Sequence, residues 1–172
     1  MTVLPIRLFG DPVLSTRASE LTEYNDSLRT LVADMTETMK HAGGVGLAAN
    51  QVGVLRRVFV FDCSHVPGGL SGHVINPVWE PEGEEKEEGI EGCLSIPDIS
   101  LSIPRYRSVR LRGTDMEGNP LAITASGLLA RCIQHETDHL DGVLYLKHAQ
   151  AQERKEAMAQ IRAAAWFQEG RK

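Results

Sequence analysis

Residues 132–142 read CIQHETDHLDG, with His135 and His139 four positions apart and Glu136 directly after the first. On a helix this spacing puts both imidazoles on one face, about 6 Å apart along the axis. Each can then offer a ring nitrogen to the same cation. Glu136 is rotated by about 100° from His135. It can lean toward a water at that cation without being a ligand. This is the physical content of the H-E-x-x-H signature of metal-dependent hydrolases. Leu128, Cys132, His135 and His139 form one stripe, continuous with apolar packing through Leu129 and Ile133. The histidines therefore face inward, and two inward imidazoles beside a glutamate are hard to satisfy without a cation.

Two histidines leave a catalytic site one protein ligand short. Cys132 lies about 10 Å from His139 along the helix axis, whereas ligands of one ion sit within about 4 Å of each other. A regular helix thus keeps Cys132 from joining both histidines, and it reads as a small apolar wall residue. Cys63 closes an apolar strand and reads as core. Cys93, in GIEGCLSIP (89–97), sits where the chain bends before an extended run, and it is the best candidate for the third ligand. Asp141 and His148 are the rivals, Asp141 being two residues past His139 and on the wrong helix face. Three cysteines, an odd number without an export signal, disfavour a disulfide framework.

A second segment with chemical character is AGGVGLAANQVG, residues 42–53. No lysine follows its glycines and no strand precedes them, so it is not a phosphate loop. Gly44 and Gly46 permit close backbone approach to an extended ligand. Ala48 and Ala49 keep the wall thin, and the Gln51 amide can donate and accept in fixed directions. Standing alone, the segment reads more simply as a helix-to-strand turn.

The elements around these residues follow from periodicity. Leu28, Leu31, Val32, Met35 and Met39 fall at helical spacing over residues 26–41, with Asn25 or Asp26 to cap the start and Gly43-Gly44 to end it. VFVFDC (58–63) and HVINPVW (73–79) are rich in strand formers, with VPGGLSG as the loop between them. RSVRLRGT (107–114) and PLAITA (120–125) read as a hairpin joined by DMEGN. Ser126 is placed to cap a second long helix that stops near Gly142. Residues 149–167 read as a third, alanine-rich helix, and the acidic run EPEGEEKEEG (80–89) as a solvated hairpin or loop. Many short strands with three helices point to an α+β fold rather than alternating βαβ units. The chain of 172 residues is long enough for one domain, 1–172, with a substantial core. Its net charge of −5 gives no electrostatic reason to expect nucleic-acid binding, and its apolar runs are too short for a membrane span. MTVLPIRLFGDP carries no signal or transit pattern, which predicts a cytoplasmic location.

Gly44-Val45-Gly46-Leu47-Ala48-Ala49-Asn50-Gln51, then Glu91-Gly92-Cys93-Leu94-Ser95, then Gln134-His135-Glu136-Thr137-Asp138-His139 resemble, in order and spacing, the three signature motifs of the peptide deformylases. GDPVL near the start, VINP (74–77) and SGLLA (126–130) agree, so the resemblance spans about residues 3–148. It implies an α+β fold, with antiparallel sheets around a central helix bearing the histidines and a helix toward each terminus. Cys93, His135 and His139 would bind one divalent metal, typically Fe²⁺ in the cell and replaceable by Ni²⁺, Co²⁺ or Zn²⁺. Glu136 would be the general base and acid. Gln51 and the Leu94 backbone N–H would hydrogen-bond the formyl oxygen. Gly44, Val45, Gly46, Leu128 and Cys132, with His135, would line the substrate site. The substrate would be the N-formyl-methionyl end of nascent polypeptides, and formate the product.

Two positions depart from the family pattern. Arg131 stands where many relatives carry an apolar residue, and it reads as edging the pocket or reaching solvent. Ser100 falls where some members place an arginine that meets the peptide backbone. Arg105 is placed by the same pattern to pair with Glu91. The segment 147–172 holds six Lys/Arg against three Glu, so transient ribosome contact through the C-terminal helix is one expectation, beside ordinary packing on the body.

Overall fold

The computed structural model describes residues 1–170. Arg171 and Lys172, two of the basic residues in the C-terminal segment, lie outside the described residues. Helix α1 runs Asp26–His41 and helix α2 Gly127–Leu140. The strands are β1 (Gly46–Ala48), β2 (Val58–Asp62), β3 (Ser71–Pro81), β4 (Lys86–Cys93), β5 (Ile96–Tyr106), β6 (Ser108–Thr114) and β7 (Pro120–Ser126). A five-stranded antiparallel sheet has the order β1-β2-β3-β6-β7, and β4 pairs β5 as a separate two-stranded ribbon. The α+β expectation is met.

Strand β2 shows how the sheet is held between two helices. Its side chains alternate, as a strand dictates. Val58 and Val60 join Leu28, Val32, Met35 and Met39 of α1 in one core. Phe59 and Phe61 join Leu129, Cys132, Ile133 and Leu140 of α2 in another. These four apolar residues of β2 are buried, and each such side chain is worth about 1.5–3 kcal/mol of transfer free energy. Helix α1 starts on Asn25, whose side chain accepts from the Leu28 N–H. Ser126 occupies the corresponding position before α2, but its side chain makes no capping bond there.

The VINP stretch is a bulge in β3, where the register with β6 shifts between Ile75 and Val78. Asn76 takes a positive φ of 50° and uses its amide like a strand partner for Leu21, accepting from the N–H at 2.9 Å and donating to the carbonyl at 2.8 Å. Pro77, which has no N–H to give a ladder, suits such a bulge.

The acidic stretch 80–89 spans the end of β3, a short turn and the start of β4. Its exposed carboxylates face arginines: Glu82 with Arg110, Glu85 with Arg107 and Glu80 with Arg112.

The C-terminal helix expected over 149–167 is divided. Helix α3 covers Ala151–Ala163, Ala164 is extended (φ −69°, ψ 135°), and a short α4 covers Ala165–Glu169. The break follows from packing rather than propensity. It lets Trp166 and Phe167 reach the third core, where the Phe167 ring lies 6.0 Å from that of Phe9. In the same core Ala157 and Ile161 of α3 meet Ile96, Ile99 and Ile103 of β5.

Candidate metal centre

Helix α2 carries His135 and His139 inward, with ring centroids 4.9 Å apart. Cys93 ends β4 at the turn into β5, with Cys93 registered against Ile96. That turn brings its Sγ to 3.3 Å from His139 Nε2. One ligand atom from each of Cys93, His135 and His139 falls within 4.8 Å of the others. The rivals for the third position lie elsewhere. Asp141 is bound to Arg57 at 2.7 Å and His148 to Asp138 at 2.8 Å.

The donor set fits a divalent cation. A thiolate and two imidazoles are the ligand types a borderline-soft ion takes, at bond lengths of about 2.0–2.3 Å. Cys93 is half-buried, whereas His135 and His139 are buried. His139 Nδ1 and Glu136 Oε2 are buried polar atoms without a hydrogen-bond partner among the described residues. Such groups call for an explanation, and for Glu136, which lines the same cavity as Cys93 and His135, a water held by a cation there would supply one.

A chain of charges braces His135 from behind. Its Nδ1 lies 3.4 Å from Glu91 Oε1, and Glu91 accepts from Arg105 Nε at 3.1 and 3.2 Å. Arg105 Nη1 continues to Asp138 at 2.6 Å. A carboxylate on the far ring nitrogen fixes the tautomer and leaves Nε2 for the cation side. The protein alone pushes the two imidazoles in opposite directions. Burial favours a neutral His135, but its contacts with Cys93 and Glu91 outweigh that and hold its pKa well above the ordinary value. His139 has burial with no acid against it, reinforced by the charges of His135 and Arg105, and lies well below.

Glu136 points into the same space and is buried. Burial is the main reason its pKa rises to about 7; Glu91 and Asp138 push the same way, while His135 and Arg105 oppose. A carboxyl poised near neutrality can both take and return a proton. Gly46 makes room for it: a Cβ there would overlap Glu136 Oε1 and come within 2.8 Å of Cys132 Sγ.

Gln51 sits on a 3₁₀ turn, Ala49–Val52, fixed at both ends of its amide. Its Oε1 accepts from the Ala48 N–H at 3.0 Å, so Nε2 must face Ser95 Oγ (3.1 Å) and Cys93 Sγ (3.6 Å). A cavity of about 550 Å³ opens from this cluster. Gly44, Val45, Gly46, Leu94, Leu128 and Cys132 all line it, as do Arg131 and Ser100.

Several supporting residues escaped the sequence reading. Ser95 lies inside the quoted EGCLS stretch, but nothing there shows that its hydroxyl holds Gln51. Asp138 and His148 extend the brace on Arg105, and Tyr145 donates its hydroxyl to the Ile99 carbonyl at 2.7 Å below the His135 ring. Arg131 is also more than an edge residue: it is buried, and its guanidinium donates to the carbonyls of Ile103 (2.7 Å), Glu87 (3.0 Å) and Gly89 (3.4 Å).

A family model described as polypeptide deformylase matches residues 3–155 of this chain. The chain is 66% identical over 167 residues to peptide deformylase 1 of Corynebacterium efficiens, covering 97% of this chain and 99% of that one. It is 49% identical to the peptide deformylase of Acidothermus cellulolyticus, covering 96% and 89% respectively. Among solved structures, peptide deformylase from Ehrlichia chaffeensis in complex with actinonin superposes with a TM-score of 0.88 at 38% identity, covering 95% of this chain and 98% of that one.

Proposed function

The chain belongs to the polypeptide deformylase family and, as a metal-dependent hydrolase, removes the N-formyl group from the first methionine of nascent polypeptides; from that premise we propose how its residues divide the work. Cys93, His135 and His139 hold one divalent cation, Fe²⁺ in the cell, with Ni²⁺, Co²⁺ or Zn²⁺ able to replace it. The observation that carries this assignment is the meeting of their ligand atoms within 4.8 Å beside the unpartnered carboxyl oxygen of Glu136. The bound cation supplies Lewis acidity toward the formyl oxygen and the attacking water.

Glu136 takes the proton from that water and passes it to the leaving amine, so that formate and a free N-terminus result. Gln51 Nε2 and the Leu94 N–H donate to the oxygen on which charge develops; one such donor is typically worth ~3 kcal/mol of barrier. Gln51 Oε1 is committed to Ala48, so the amide need not flip; only the Nε2 hydrogen that rests on Cys93 Sγ at 3.6 Å turns to this oxygen, while the other stays on Ser95 Oγ. The backbone of Gly44, Val45 and Gly46 runs beside the peptide. Leu128 and Cys132 line the slot for the methionine side chain, with Val45 and His135. Residues 1–172 act as one domain, located in the cytoplasm where formylated chains emerge.

Helix α3 packs Ala157 and Ile161 inward and leaves Arg154, Lys155 and Arg162 exposed. That basic face is the surface we assign to transient ribosome contact. Charge reversal of the three residues should reduce pelleting with ribosomes, and equal pelleting would remove the assignment.

The central test is formate release. An N-formyl-methionyl tripeptide should yield formate, while its unformylated counterpart should stay intact. Cleavage of internal peptide bonds without formate release would overturn the reading.

A further inference from the structure

We propose that Arg131 is a specificity-determining residue of the side-chain slot, raising the rate for a first residue whose tip accepts a hydrogen bond, relative to a hydrocarbon tip of the same length, above what the slot would give without the guanidinium. The inference rests on the deformylase reading of the site and deepens it.

Strand β4 and helix α2 run alongside one another in matched steps. Glu91 faces His135, and two residues back along the strand Gly89 faces Arg131, one helical turn before His135. Two strand residues advance about 6.6 Å and four helix residues about 6 Å, so the two pairs stack. The wall beside the metal ligands is therefore built from a carboxylate–imidazole pair and then a glycine–guanidinium pair.

Gly89 is what admits the guanidinium. A Cβ at that position would lie 2.5 Å from Nη2 and 2.7 Å from Cζ of Arg131. The guanidinium cannot swing clear freely, because carbonyls of both ribbon strands hold it: Glu87 and Gly89 of β4, and Ile103 of β5, which is the register partner of Gly89. These bonds occupy both Nη1 hydrogens and one on Nη2. The Nε hydrogen and the second Nη2 hydrogen have no protein acceptor among the described residues, and no carboxylate pairs with the group there. Arg131 lines the same cavity as Leu128, Cys132, His135 and Glu136. The wall that Leu128 and Cys132 make largely apolar thus also carries a guanidinium with two N–H groups not bonded to protein.

Such a donor discriminates by what it would leave unpaired. A norleucine tip offers it nothing. The thioether of methionine is a weak acceptor, and the oxygen of methionine sulfoxide is a strong one. Hydrogen bonds to charged groups are worth enough to shift relative rates by about tenfold or more.

The test compares kcat/KM on three formylated tripeptides that differ only in the first residue: methionine, norleucine and methionine sulfoxide. The metal-loaded wild type should process the sulfoxide peptide within about threefold of the norleucine peptide despite its larger desolvation cost. Arg131→Met should lower the sulfoxide-to-norleucine ratio by about tenfold. Gly89→Ala keeps the arginine but displaces its guanidinium, and should lower the same ratio. A wild-type ratio below about one third overturns the proposal even if neither variant folds. So does an unchanged ratio in a variant that still processes norleucine. Absence of formate from every peptide would instead sink the deformylase reading itself.

Discussion

Arg105 and Glu91 form a buried ion pair, with Nε within 3.1 and 3.2 Å of the two carboxylate oxygens and both residues 5% exposed. Glu91 in turn holds His135, and Arg105 also bonds Asp138. Removing the arginine takes the permanent cation from buried Glu91 and leaves part-buried Asp138 with His148 alone. Breaking a buried pair in this way costs about 3–5 kcal/mol. Arg105→Leu should therefore lower the midpoint of urea unfolding by that equivalent, and it should weaken metal retention because His135 loses its oriented support. Arg105→Lys should recover part of the stability. Unfolding curves and elemental analysis after dialysis against a chelator report the two effects separately.

Glu136 is assigned to proton transfer rather than ligation, and the two roles predict different losses. Glu136→Gln keeps the shape but cannot take a proton. Turnover of formyl-methionyl peptide should fall by about 10²–10⁴-fold while bound metal per chain stays unchanged. Loss of metal together with activity would show that the carboxylate is a ligand.

Gly46 faces Glu136 Oε1 and Cys132 Sγ so closely that no Cβ fits. Gly46→Ala must therefore move the carboxylate or the strand. Misplacing a reacting group by about 1 Å can cost 10²-fold. The expected outcome is a loss of that size in kcat, measured by formate release, with metal content retained. An alanine variant of full activity would mean that Glu136 stands elsewhere during the reaction.

What the sequence made legible was local. His135, Glu136 and His139 could be placed on one helix because a four-residue spacing has only one geometric meaning. Helix α1 was legible for the same reason. Cys93 was different: on its own residues it competed with Asp141 and His148, since the step between β4 and α2 depends on how two distant elements stack. Only the fold shows Asp141 turned to Arg57 and His148 to Asp138. The family resemblance had supplied that assignment from motif order, not from physics. Arg131 does edge the pocket, one of the two readings its position allows, but its burial against the ribbon carbonyls was not legible, because the glycine that admits it lies 42 residues away on another strand. The break at Ala164 was hidden by good helix formers on both sides, and the docking of Trp166 and Phe167 overrode their propensity.

His73 carries a pH dependence of stability far from the metal ligands. It lies in β3, and its Nε2 accepts the Met116 N–H at 3.0 Å from the turn between β6 and β7. Burial lowers its pKa below the ordinary 6.5; the nearby carboxylates of Glu117 and Asp115 oppose this without cancelling it. The unfolded chain therefore binds a proton at a higher pH than the folded one. Stability from the neutral ring is fully present above about 6.5 and is lost as the pH falls from there toward the lower folded value, with a slope for one group of at most about 1.4 kcal/mol per pH unit. Protonation also replaces the acceptor by a second N–H facing Met116. His73→Gln keeps an acceptor oxygen near the Nε2 position but does not titrate. Urea midpoints measured at pH 5 and pH 8 should differ less in this variant than in wild type, with the gap closing from the acid side. An equal difference in both proteins would assign the acid sensitivity to other groups.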